Sequence, residues 1–276
     1  MSATPPGREG LACGQAKRGV RVDVDWGSIG EIGGEPFTRA SAGFTGRAQE
    51  IQQLVGDAHG FLAAGLGTEF APIVLVLDET DWARAGDEAP PYGIPYADDE
   101  GFELVVPADP ATNFLVDIYE AAAGSREPAE RFADLIAVHE LGHHHVRELG
   151  LDLPNGWLGE FLATYLSCCF LTAHRPDDAS LWFGLTRART RGPAPQHHAL
   201  EALDELYIGV GAENYIWYQD MLSVMVEQVH QERGLQFATD LLGAGLITPD
   251  SDTATTLAAA ESLHPGFEAW AESLRR

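Results

Sequence analysis

The sequence predicts an α+β fold, with a small mixed-sheet lobe followed by a mostly helical C-terminal part. Three observations carry that reading. Two compact apolar runs, Ala71–Asp78 and Gly101–Pro107, have the length and composition of buried strands. Beyond them, apolar positions recur at helical spacing through most of the chain. At 276 residues, 45% of them hydrophobic, the chain is long enough to bury a substantial core. The expected division is a flexible extension at 1–20, a first lobe at 21–174 and a helical part at 175–276 packed on it.

Residues 1–20 are rich in Gly, Ala, Pro and polar groups and carry no chemistry. From Gly46 to about Leu66 the positions Ile51, Leu54, Val55, His59 and Leu62 recur as an apolar stripe at helical spacing, and the strand Ala71–Asp78 follows. Pro90 to Tyr96 reads as a turn-rich loop, and Gly101–Pro107 as a second strand closed by its proline. Phe102 to Val106 is the expected edge of the sheet. Asp109 and Pro110 form an N-cap and first-turn pair for a helix reaching Ala123 and ending at Gly124.

The next helix is expected from about Glu127 to Leu149, after Ser125, with Pro128 and two glutamates in its first turns and Gly150 as its stop. Phe132, Leu135, Ile136, Leu141 and Val146 form its apolar stripe. After a tight connection from Gly150 to Asn155, a helix from Gly156 is apolar nearly all round and should be buried. Further helices are expected at His198–Tyr207, Glu213–Glu232, Leu235–Leu242 and Thr253–Leu274, the last broken near Pro265. Arg187–Arg191, with Pro193 and Pro195, reads as a basic linker whose charges answer nearby carboxylates.

The formal charge of −25 comes from 42 acidic against 17 basic residues, Lys17 being the sole lysine. Such a surface repels phosphate backbones and anionic lipids, so neither nucleic acid nor membrane is an expected partner. Cys13, Cys168 and Cys169 make no disulfide framework, and free thiols suit a reducing compartment. Met1 to Gln15 lacks the apolar core of a secretory signal, so a cytoplasmic location is the expectation. Oligomeric state is not legible.

Chemistry enters at His139-Glu140-Leu141-Gly142-His143, an H-E-x-x-H that a helix displays as two imidazoles one turn apart on one face. A divalent ion needs a third protein ligand and, for catalysis, one position open to water. Glu160, seventeen residues after His143 on the next helix, is a ready third ligand. Glu140 stands next to the first imidazole, where it can take a proton from water. Gly142 allows another element to approach the ligand face. His144 and His145 point away from that face and read as a solvated or loop-contacting pair. His197, His198, Tyr207, Tyr215 and Tyr218 are candidates for oxyanion stabilisation, with Tyr215 favoured because it opens a helix after a glycine-bearing loop.

At His139, Glu140, His143 and Glu160 the chain resembles the gluzincin branch of the zincin metallopeptidases. The likeness covers about Ile136 to Tyr165, and compact gluzincins share the short interval between second His and Glu. The resemblance implies a zincin-like fold, Zn2+ held by His139, His143 and Glu160, Glu140 as general base, and a peptide or protein as substrate. In thermolysin-like members an Asp four residues after the ligand Glu orients a ligand His, whereas this chain has Thr164, able to make one uncharged hydrogen bond. The metzincin continuation is absent, since Val146 and Leu149 stand where a Gly and a third His belong. Zinc-dependent peptide hydrolysis is therefore the leading expectation. A non-catalytic zinc sensor or docking protein, and a zinc hydrolase of a small amide or modified peptide, share every metal residue.

Overall fold

The computed structural model describes residues 29–85, 90–98, 101–109, 113–149, 153, 155–243 and 245–275. The N-terminal extension 1–20, Cys13, Pro110 and the stop glycine Gly150 lie outside them. The described residues form a mixed α+β structure with a five-stranded mixed sheet: β1 (Gly30–Ile32), β2 (Phe37–Ala40), β3 (Ile73–Leu77), β4 (Tyr96–Ala97) and β5 (Glu103–Pro107), in the order β1-β2-β3-β5-β4. β2, β3 and β5 run parallel, while β1 and β4 are antiparallel to their neighbours.

The inner strands β3 and β5 read as unbroken apolar runs because both of their faces are covered. Val74, Val76, Leu104 and Val106 face the main core, while Leu75, Leu77 and Val105 pack with Ile29 and Trp82 on the other side. The expected edge at Phe102–Val106 is overturned. β5 lies between β3 and β4, so the edge belongs to Tyr96–Ala97. That strand is two residues long and follows Pro95, so its sequence carries the marks of a loop.

Eleven helices are described: α1 (Thr45–Leu66), α2 (Glu79–Trp82), α3 (Phe114–Ala123), α4 (Arg126–Glu148), α5 (Gly156–His174), α6 (Pro176–Arg189), α7 (Leu200–Leu206), α8 (Ala212–Arg233), α9 (Gln236–Gly243), α10 (Thr253–Leu263) and α11 (Phe267–Leu274). α3 starts at Asn113 and not at Asp109, because the Asn113 side chain accepts from the amides of Leu115 and Val116. Asp109 instead donates its amide to the Tyr92 hydroxyl. The expected break near Pro265 separates α10 from α11, at Gly266 with φ of 119°.

α6 was not anticipated. Pro176 occupies its first turn with Asp177 and Asp178, and Arg187 and Arg189 form its last turn, not a linker. Those arginines do answer carboxylates: Arg187 pairs with Glu227, and Arg189 Nε lies 2.8 Å from Asp220 Oδ2. The largest buried cluster is continuous from Ile32 in the sheet to Leu274 in α11, and α5, buried along most of its length, is its central member. Among the described residues, no helix is long and apolar enough to cross a membrane.

Candidate metal centre

α4 and α5 bring the site together, and a glycine sets how closely they cross. A Cβ built on Gly142 would lie 2.7 Å from the carbonyl oxygen of Ala163 and 2.8 Å from its Cα, so only glycine lets α5 lie in this place. Glu160 and Thr164, one turn apart on α5, both face the imidazole of His139. The Nε2 atoms of His139 and His143 are 3.1 Å apart, Glu160 Oε2 is 3.1 Å from the first, and it is 3.5 Å from the second.

Metal bonds of about 2.0–2.1 Å at tetrahedral angles put donor atoms roughly 3.3 Å apart, so this triangle fits a zinc-sized ion. Thr164 Oγ1 lies 3.1 Å from His139 Nδ1, the expected uncharged hydrogen bond. That contact fixes the ring so that Nε2 faces the other two donor atoms. Among the described residues, His139, His143 and Glu160 are the one such cluster of His, Cys, Asp and Glu side chains.

Burial opposes ionisation of Glu160, but the attraction of His143 and hydrogen bonds from both histidines outweigh it, holding the carboxyl well below its ordinary pKa. Glu140 is moved the other way. Burial raises its pKa most and Glu160 adds to that, against the pull of the histidines and of the Ala97 amide. The two helices thus bring together an ionised carboxylate on α5 and, on α4, a carboxylate whose proton is held more tightly than usual.

Glu140 Oε2 accepts the Ala97 amide at 3.1 Å. Asp98 N donates to Glu103 O at 2.8 Å, which makes 98 and 103 a hydrogen-bonded pair and turns the amide and carbonyl of Ala97 outward, away from β5. The outward amide is the one Glu140 holds. One and two turns further along α4, His144 Nε2 and Arg147 Nη1 reach the Asp98 carbonyl at 3.3 and 2.7 Å. Motif helix and edge strand are therefore tied at three successive turns.

His144 and His145 do contact loops, but the expectation of solvation is overturned: they are 1% and 0% exposed. His145 Nδ1 lies 2.7 Å from Thr68 Oγ1, with Phe70 and His59 packed round the ring. Burial drives both imidazoles down to about 3, so they are neutral in the folded protein. Cys168 and Cys169 are buried, and burial raises both thiols, so neither is a nucleophile.

Of the hydroxyl candidates, Tyr207 comes nearest, donating to Glu160 Oε1. Tyr215 stands behind it, rings edge to face with centroids 5.7 Å apart, and its phenol lies within the field of both Glu160 and Glu140. Tyr218 is a core residue bonded to Ala199 O, His197 is bonded by its backbone to Asn214, and His198 reaches Leu274 O. Gln219 was missed by sequence reasoning. Its Nε2 donates to Glu160 Oε2 at 2.7 Å. The available signal was its position one turn after Tyr215, on the same face of α8. Compared with protein-family models, curated proteins and solved structures, the chain matches none.

Proposed function

We propose that this protein is a zinc-dependent hydrolase of peptide bonds, with His139, His143 and Glu160 as metal ligands and Glu140 as general base. The observation that carries the reading is the convergence of two imidazole nitrogens and one carboxylate oxygen at 3.1–3.5 Å beside a second carboxylate that is not part of the triangle. A structural site would close its fourth position with another Cys or His and would have no use for that second carboxylate. Bound zinc would supply Lewis acidity, acidifying water and polarising a carbonyl.

Glu140 takes the proton of the attacking water and passes it to the leaving amine. Thr164 holds His139 in the tautomer that directs Nε2 to the ion. Tyr215, on the carboxylate side of the triangle behind Tyr207, keeps the role of neutral donor to a developing oxyanion, because the one O–H of Tyr207 is already donated to Glu160.

One observation favours a second reading, a hydrolase of a small amide or short modified peptide. β4 is two residues long, Pro95 has no amide hydrogen, and Glu140 already holds the outward amide of Ala97. Within the described residues this edge offers an extended peptide little beyond the Ala97 carbonyl, so recognition by strand addition is curtailed.

Metal analysis of the purified protein with wild type, His143→Ala and Glu140→Gln side by side tests the proposal. About one zinc per chain is expected in wild type and Glu140→Gln, and much less in His143→Ala. Glu140→Gln should lose roughly 10²-fold or more in hydrolysis across a peptide and small-amide library. Absence of metal from the wild type would sink the site, and wild-type turnover by the Gln variant would sink the mechanism.

A further inference from the structure

We infer that Tyr207, seated on Gly156 and acting with Gln219, is a positioning residue that presents Glu160 to the metal through one oxygen only. This rests on the metal-site reading above and concerns side chains that arrive from 47 and 59 residues downstream of the ligand.

A carboxylate has two oxygens and about four lone-pair directions to satisfy. Tyr207 occupies Oε1. Gln219 occupies one direction of Oε2 at 2.7 Å, and the other faces His139 Nε2 at 3.1 Å. Of the two directions left, the one on Oε2 faces the imidazoles of His139 and His143, so an ion held between them meets a single lone pair on a single oxygen. Both donors are neutral, so the buried carboxylate, 1% exposed, is held in orientation without losing the negative charge that a dication needs. An arginine in either place would fix the geometry and neutralise the ligand.

Tyr207 is built for this at a cost. Its φ of 48° with ψ of −122° lies in a region natural to glycine and strained for a tyrosine. It stands at the end of α7, where glycine would end the helix without strain. The side chain explains the choice. A Cβ on Gly156 would lie 3.1 Å from Tyr207 Cδ2 and 3.4 Å from Cε2, so the ring rests on the bare first turn of α5. Gly156 and Glu160 are one turn apart on one face of that helix, and the phenol runs from the first to the second. Tyr215 supports the ring from behind.

The test uses Tyr207→Phe and Gly156→Ala in the full chain, with zinc affinity read by chelator competition and cobalt(II) absorption reporting coordination number. Tyr207→Phe keeps the ring and frees Oε1. Zinc binding should weaken 10-fold to 100-fold, the scale of losing a group that orients a ligand. The cobalt spectrum should lose intensity as the freed oxygen joins the ion. Gly156→Ala touches neither ion nor ligand, yet should weaken zinc several-fold by lifting the ring. Its metal-free melting temperature should be no lower than wild type, since alanine is the better helix former. A lowered melting temperature with zinc affinity within two-fold of wild type in both variants would make Tyr207 a packing residue and overturn the inference. An unchanged cobalt spectrum would overturn its single-oxygen part. Failure of the wild type to bind zinc or cobalt would overturn the underlying site as well, a result distinct from intact wild-type binding with indifferent variants.

Discussion

Gly142→Ala should weaken metal binding even though the residue ligates nothing. The added Cβ would stand 2.7 Å from Ala163 O and 2.8 Å from Ala163 Cα, both backbone atoms that no rotamer change can move. Ordinary contact begins near 3.4 Å, so α4 and α5 must separate by about 0.7 Å at the point where they present His139 and Glu160. Overpacking of this kind costs about 1–3 kcal/mol. Replacing glycine by alanine within a helix returns about 1 kcal/mol. The net loss of about 0–2 kcal/mol corresponds to a fall in melting temperature of at most about 8 °C for a chain of this size.

The effect on the site should be the larger one. A displacement approaching 1 Å between donors now 3.1 Å apart spoils the triangle, and zinc affinity should fall at least 10-fold, the scale seen when ligands lose their support. Gly184→Ala is the control. That glycine is an exposed interior position of α6 with nothing within 4 Å of its virtual Cβ, so alanine there should stabilise by about 0.4–1 kcal/mol and leave zinc untouched. Chelator competition and thermal melts in excess chelator measure the two quantities separately. If Gly142→Ala behaves like Gly184→Ala, the argument that this close helix crossing sets the ligand triangle is refuted.

Two further outcomes are expected. α5 has no N-cap of its own, and Asp204 of α7 serves instead, accepting from Trp157 N at 3.1 Å, from Asn155 Nδ2 and from Thr253 Oγ1; Asp204→Ala should lose about 1–2 kcal/mol in denaturant titration, and an unchanged midpoint would remove the cap. His144 and His145 are held near 3 by burial, below the 6.5 of the unfolded chain, so their contribution is complete above about pH 6.5 and lost as pH falls towards 3. Together they should cost the metal-free protein about 3 kcal/mol at pH 5.5 relative to neutral pH. His145→Gln should flatten that dependence by close to one proton, and a slope identical to wild type would contradict the assignment.

How much was legible follows from the range of each interaction. Helical periodicity and cap chemistry act over a few residues, so α1, α4, α5 and the break between α10 and α11 could be placed to within a residue or two. Asp109 looked as good a cap as Asn113, but it is the Asn113 side chain that meets the free amides of Leu115 and Val116. β4 escaped notice because two residues after a proline have no periodicity to read. Its status as the edge comes from pairing with β5, a contact between segments that carry no mark of each other.

The amino-acid order alone determined the centre of this protein. Two histidines at i and i+4 must share a helical face, Glu140 must lie beside that face, and a glutamate on the following apolar helix is within reach of it. Those relations are properties of one helix and a short connection. The tertiary structure decided everything that depends on which surfaces meet: that Gly142 sits under Ala163, that Ala97 donates to Glu140, that His144 and His145 are buried, and that Tyr207 and Gln219 close on Glu160. Side chains 47 and 59 residues apart in the chain meet only because burying α5 on every side forces α7 and α8 against it.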